Sequence, residues 1–235
     1  MFDERDVPEE MRDKLWQEYY DQLGEGIDSG YSPETEFYDE DLALQLKENI
    51  AEFSSFKETS FRKQLEAMLT EDEEFLPWSK FKEKALSVSG DYNKRWLKTE
   101  YHQTVATANM AGKWKSFEAN KDLYPNLKYV DAGDDRVREK HREWDGTILP
   151  LNHPWWDSHY PPSDWGCRCD AVPTDEDPTV DVPEGEVKKG FDNNAGKTGK
   201  VFTDIAYQDG LSDEEIAEAT KRANQLFLQA TKKKK

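Results

Sequence analysis

Between Val130 and Pro173 the chain concentrates the residue types that bind metals and attack carbonyl or phosphoryl groups. Both cysteines (Cys167 and Cys169), three of the four histidines (His141, His153 and His159) and four of the eight tryptophans fall there, among prolines and glycines. Thiolate and imidazole suit Zn²⁺, so His141, His153, Cys167 and Cys169 form a four-ligand set that could staple a segment poor in regular structure. The Cys-x-Cys spacing differs from the C-x₂₋₄-C of common zinc sites, and residues at i and i+2 also share one face of a strand. A metal-free core of rings and thiols therefore stands beside the zinc reading. A tryptophan can bury on the order of 200 Å², so Trp144, Trp155, Trp156 and Trp165 could organise such a core. Their alternative use is as an exposed aromatic patch for a partner.

The same residues admit a catalytic alternative. Cys167 and His141 could pair as nucleophile and base. His141 and Arg138 could instead serve as general acid/base and phosphate clamp, giving a nuclease-like, metal-dependent or cysteine/histidine-dependent enzyme. Against this, Arg136, Arg138 and Arg168 lie in a strongly acidic chain and are expected to pair with carboxylates. The stretch NNAGKTGK is similar to a phosphate-binding loop, but Gly190 lies six positions before Gly196 where the pattern needs five. It reads as a flexible turn. No catalytic or cofactor-binding residue is assigned.

Charge narrows the partners. The 235 residues carry a net charge of −18, and residues 1–41 alone hold 15 acidic against 3 basic side chains. Such a segment repels a phosphate backbone, because nucleic-acid affinity rests on cation–phosphate contacts. DNA contact is expected to be indirect at most, or made by Lys232 to Lys235, whose simpler reading is a solvated terminus. No apolar run approaches the roughly 20 residues of a membrane helix, and the acidic start lacks the apolar region of a secretory signal. Two cysteines one residue apart bridge each other only with strain, so reduced thiols in a cytosolic setting are expected.

The elements that must position these groups are mostly helical at first. Apolar spacing predicts a helix over 8–24, stopped by Gly24 and Gly26. A second covers 40–69, with a break near Ser54–Ser55. A third runs from Trp78 to about Gly90, and a fourth spans 92–119. After Pro125, LKYVDAG, TILPL and CRCDAV read as short strands, and DDRVREKHREWDG as a helical turn ended by Gly146. Residues 173–190 read as an exposed linker. A last helix starts at Ser212, which forms a capping box with Glu215. The fold class is α+β, a mostly helical N-terminal half followed by a compact mixed segment with short strands and a C-terminal helix. The expected divisions are 1–90 (acidic helical region), 91–173 (core), 174–210 (linker and extended segment) and 211–235 (helix and lysine tail).

Several motifs follow one another in a fixed order: Arg-x-x-His at 138–141, Trp-Asp-Gly at 144–146 and Cys-Arg-Cys at 167–169. This order resembles the Mu F-like family of phage minor head (head morphogenesis) proteins. The likeness is densest over about 93–173, where WLKTEYHQTVATANMAGKW, YVDAGDDRVREKHREWDGTILP and PPSDWGCRCDAVP resemble successive family segments. FDNNAGKTGKVF is similar to a tail often found after them. Residues 1–90 match only in being helical and acidic. The resemblance implies a minor capsid protein, present in few copies in the head of a tailed phage and assembled in the cytoplasm of a bacterial host. It implies contact with the portal protein and with major capsid or scaffold proteins during procapsid assembly, and in some members a link to DNA packaging or ejection. By the same resemblance the protein is structural rather than enzymatic. The residues themselves give no certain cofactor, with zinc as a possible structural metal.

Overall fold

The apolar stripe expected over 40–69 folds as one helix. Leu42, Leu46, Ile50, Phe53 and Phe61 are all buried along it. A computed structural model describes residues 7–71 and 74–233, so Lys234 and Lys235, the end of the lysine run, lie outside the described residues. The chain is α+β. Its helices are α1 (Glu9–Gly30), α2 (Glu40–Ala67), α3 (Trp78–Gly90), α4 (Leu97–Ala119), α5 (Glu139–Trp144), α6 (Trp155–Ser158), α7 (Ala195–Thr198) and α8 (Asp213–Lys233). The strands are β1 (Thr70–Glu71), β2 (Glu74–Phe75), β3 (Asn126–Val130), β4 (Ile148–Pro150) and β5 (Asp170–Thr174).

Two expected helix boundaries do not hold, and a third, at Gly90, ends α3 without breaking the helical path. Gly24 and Gly26 do not stop α1, which continues to Gly30. A glycine inside a helix costs about 1 kcal/mol relative to alanine, whereas a fully buried Leu or Ile contributes about 1.5–3 kcal/mol. Leu23 and Ile27, both fully buried, outweigh the penalty. Helix α2 runs through Ser54–Ser55 unbroken, with the Ser55 hydroxyl donating to the Ala219 carbonyl at 2.7 Å. Gly90 keeps helical dihedrals (φ −61°, ψ −39°), and the chain passes through a π-helical stretch, Asp91–Trp96, directly into α4.

The chain forms two compact units, each built from separate stretches. The first comprises the described parts of 1–24, 48–101 and 205–235. Its core joins α1, α2, the π-helical stretch and α8. Trp16 stacks on Tyr20 at 4.9 Å, Tyr20 meets Phe227 edge-on, and Phe61 lies against Tyr92. Helix α8 opens on the expected capping box: Glu215 accepts from the Ser212 N–H at 2.6 Å, and Ser212 Oγ accepts from the Glu215 N–H at 3.3 Å. These bonds satisfy two of the donors that a helix start leaves open.

The second unit comprises 25–47 and 102–204. Its sheet has the order β4-β3-β5, antiparallel throughout, with Leu127 opposite Leu149 and Pro173, and Tyr129 opposite Ala171. Period-two alternation turns Leu127 and Tyr129 into the core and Lys128 outward. The inward face meets Met110, Trp114 and Phe117 of α4 together with Trp144, Trp155, Trp156 and Tyr160. Close approach requires glycine at position 30, where a Cβ would fall 2.3 Å from the Val105 carbonyl oxygen. Residues 173–190 are not wholly a free linker. The Pro183 and Gly185 carbonyls accept from Trp155 and His159, and Val187 packs on the core. NNAGKTGK is no loose turn either. Asn194 caps α7 by accepting from the Gly196 N–H, and Gly196 presses on Trp114.

Candidate metal centre

The Arg138–Trp144 segment folds so that a single turn of helix carries two inward side chains. Arg138 is the N-cap of α5, and His141 and Trp144, three residues apart, are both buried. Gly146 adopts φ +77°, which a residue with a side chain disfavours, and its N–H donates to the Tyr129 carbonyl. That bond ties the end of α5 to β3. Trp144 is the hub of the surrounding rings. It stacks on His141 at 5.2 Å and meets Tyr129, Trp155 and His159 edge-on at 5.8, 6.2 and 4.9 Å.

Cys167 and Cys169 belong to the turn that precedes β5 rather than to the strand itself. The turn directs both sulfurs inward onto α5. His141 Nδ1 lies 3.7 Å from Cys167 Sγ and 3.5 Å from Cys169 Sγ, and all three residues are buried. Both cysteines are free thiols. Hydrogen bonds from the Cys169 thiol and from His141 pull the Cys167 pKa well down, against its burial. Cys169 is pushed up, because it keeps the proton it shares with its neighbour and is itself buried. Tyr129 and Ser163 complete the pocket. Their hydroxyls are buried without a hydrogen-bond partner of normal geometry, and that of Tyr129 lies beside Cys169.

Of the four expected ligands, the structure therefore brings together His141, Cys167 and Cys169 and leaves His153 apart. His153 sits on the turn before α6, where its Nδ1 accepts from the Trp155 N–H at 3.2 Å. His159 stacks on Trp155 at 4.3 Å and bonds through Nε2 to the Gly185 carbonyl; burial pushes its pKa down. Arg138, the residue considered as a phosphate clamp, is held by Asp164 at 2.8 Å and donates to the Trp165 carbonyl. Arg168 makes a two-pronged bond to Asp134 at 2.6 and 2.8 Å, which holds that carboxyl far below the usual range. These arginines pair with acids as their surroundings predict. Cys167 and His141 are within reach of each other but line neither of two hollows in the same unit. A groove of about 730 Å³ is lined by Trp114, Pro125, Pro150 and Leu151 among others, and a shallower one by Asp131, Asp134 and Arg142.

Sequence reasoning missed Tyr129 and Ser163. The alternation that turns Leu127 inward also turns Tyr129 inward, so its hydroxyl was findable. Nothing in PPSDWG marks Ser163.

Fold and site together define an α+β protein with two small sheets, whose cysteine–histidine cluster is buried rather than set in a cleft. The family described as Phage Mu protein F like protein matches residues 41–172, more than half of the chain, and the chain belongs to that family. It is 36% identical over 75 residues to the putative capsid assembly protein F of Escherichia phage Mu, a match covering 32% of this chain and 17% of that protein. It is 34% identical over 112 residues to the Mu-like prophage FluMu F protein of Haemophilus influenzae, covering 48% of this chain and 26% of that protein. The matches thus span about a quarter or less of those relatives' length. No solved structure matches the chain.

Proposed function

We propose that this protein is a structural component of phage head morphogenesis that acts through protein contacts, with the portal as its first partner and major capsid or scaffold proteins as others. Its place is the interior of the head. The observation that carries the reading is the family match over residues 41–172, with a relative named for capsid assembly. Three physical features support it. A net charge of −18 disfavours adhesion to packaged DNA. The stretch from Phe75 to Leu86 exposes Phe75, Trp78 (55%) and Leu86 (62%), apolar surface of the kind that marks a protein contact. No helix among the described residues is long and apolar enough to cross a membrane. An assisting role in DNA packaging or ejection belongs to the same reading. Co-expression with the portal protein of the same phage, followed by size-exclusion chromatography with light scattering, tests it. A joint peak of defined mass is expected. Separate peaks with the portal and with the capsid protein alike would overturn it.

A further inference from the structure

We infer that His141, Cys167 and Cys169 hold one zinc ion. Geometry is the first reason. Tetrahedral zinc with Zn–S of about 2.3 Å and Zn–N of about 2.0–2.1 Å sets nitrogen and sulfur about 3.5–3.6 Å apart. The observed separations from Nδ1 to the two sulfurs are 3.5 and 3.7 Å. All three donor atoms lie within 4.8 Å of one another.

The second reason is that hydrogen bonding alone accounts poorly for two sulfurs converging on one ring nitrogen. Nδ1 has either one lone pair or one proton, so it serves a single sulfur with good geometry. A shared cation serves both. Charge gives the third reason: two thiolates and a neutral imidazole around Zn²⁺ sum to zero, so the centre can be buried without a net charge to solvate.

Three protein ligands leave a fourth place. The buried hydroxyls of Tyr129 and Ser163, which have no partner of normal geometry, are the groups available to hold a water there. The ion ties α5 to the turn before β5, across 26 and 28 residues of chain, in a part of the fold whose strands are only three to five residues long. Soft sulfur and imidazole donors select zinc over magnesium or calcium. His153 is not a ligand.

The test uses the full chain expressed with added zinc and purified under reducing conditions, with metal counted by mass spectrometry. The expected result is one zinc per chain in the wild type, in His153→Ala and in Tyr129→Phe. Cys167→Ser, Cys169→Ser and His141→Ala are each expected to fall to less than about a tenth of that. Because a ligand variant can fail to fold, the wild type carries a second readout. Cobalt added to the metal-free protein is expected to give the intense visible bands of a tetrahedral site and a sulfur-to-cobalt charge-transfer band. Zinc is expected to shield both thiols from alkylation. A wild type that binds no zinc above background, with thiols alkylated equally fast with and without it, would overturn the inference. Retention of zinc by folded Cys169→Ser would overturn it too, and loss of zinc from folded Tyr129→Phe would overturn the assignment of the fourth place to water.

Discussion

Replacing Lys57 by methionine should remove a large part of the stability of the first unit. The side chain of Lys57 is 0% exposed and that of its partner Glu100 only 5%. The ammonium lies 2.7 and 3.0 Å from the two carboxylate oxygens and 3.0 Å from the Tyr207 hydroxyl. It is also 4.9–5.4 Å from the ring centres of Tyr207, Tyr19 and Tyr92. At 2.7 Å and an effective dielectric constant near 20, the gross attraction is about 6 kcal/mol. Desolvation offsets much of it, and burial pulls the Lys57 pKa down from the ordinary 10.5 despite the carboxylate. The net value of the pair is therefore modest, but deleting one member leaves the other charge buried without its ion partner. That costs about 3–5 kcal/mol, a large share of the roughly 5–15 kcal/mol by which a protein is stable. Methionine keeps the length and most of the volume, so the loss is electrostatic. Urea unfolding followed by circular dichroism should show a lower midpoint at unchanged slope. In Lys57→Met/Glu100→Gln the two losses should fall short of their sum by about 1–3 kcal/mol. The folded chain also binds the Lys57 proton less tightly than the unfolded chain does. Wild-type stability should therefore gain from this group as pH rises toward 10.5, and Lys57→Met should lack that gain. A Lys57→Met protein within about 0.5 kcal/mol of wild type, or single losses that simply add, would refute the argument.

Other consequences are equally measurable. Gly196→Ala places a Cβ 2.3 Å from Trp114 Cβ, and Gly112→Ala one 2.6 Å from the Tyr31 ring; each should cost about 1–3 kcal/mol or more in chemical denaturation. Trp144→Ala removes the ring against which His141, Tyr129, Trp155 and His159 pack, and should cost about 3–5 kcal/mol by the same assay. Ser212→Ala should cost about 0.5–2 kcal/mol and increase hydrogen exchange in the first turn of α8. The hydrogen bond from Lys63, and then that from the Ser212 N–H, hold the Glu215 pKa at about 2, below its ordinary 4.5. Its contribution should be complete above pH 4.5 and fade as pH drops toward 2, a slope that Glu215→Gln should remove.

Local signals in the sequence reported the fold well where one interaction decided the outcome. The stripe from Leu42 to Phe61 marked α2, and the Ser212–Glu215 pair marked the start of α8. Gly146 marked the end of α5. Such signals misled where distant packing overrode them: Gly24 and Gly26 looked like stops, but burial of Leu23 and Ile27 carried α1 through, whereas Gly90 does end α3 and the chain goes on as a π-helical stretch. The same limit applies to the candidate site. Residue type alone put His141 with Cys167 and Cys169, because α5 and the turn before β5 happen to face each other. It also drew in His153, which is nearer to the cysteines in sequence than His141 but whose ring is taken by the Trp155 N–H. Which histidine meets the thiols depends on the β3–α5 connection pinned by Gly146, and spacing does not encode that. The tryptophans were legible as core because so much ring area in a segment of short strands has few other uses. Trp144, Trp155 and Trp156 are buried, and Trp165 rests on Phe191 and Phe202.

The central claim, a structural role in head assembly, is tested most directly by disrupting the gene in its own phage and examining lysates by electron microscopy and infectivity. The account predicts missing, aberrant or non-infectious heads, with normal heads restored when the intact chain is supplied from a plasmid. Heads that assemble, fill with DNA and infect at the wild-type level without this protein would contradict it.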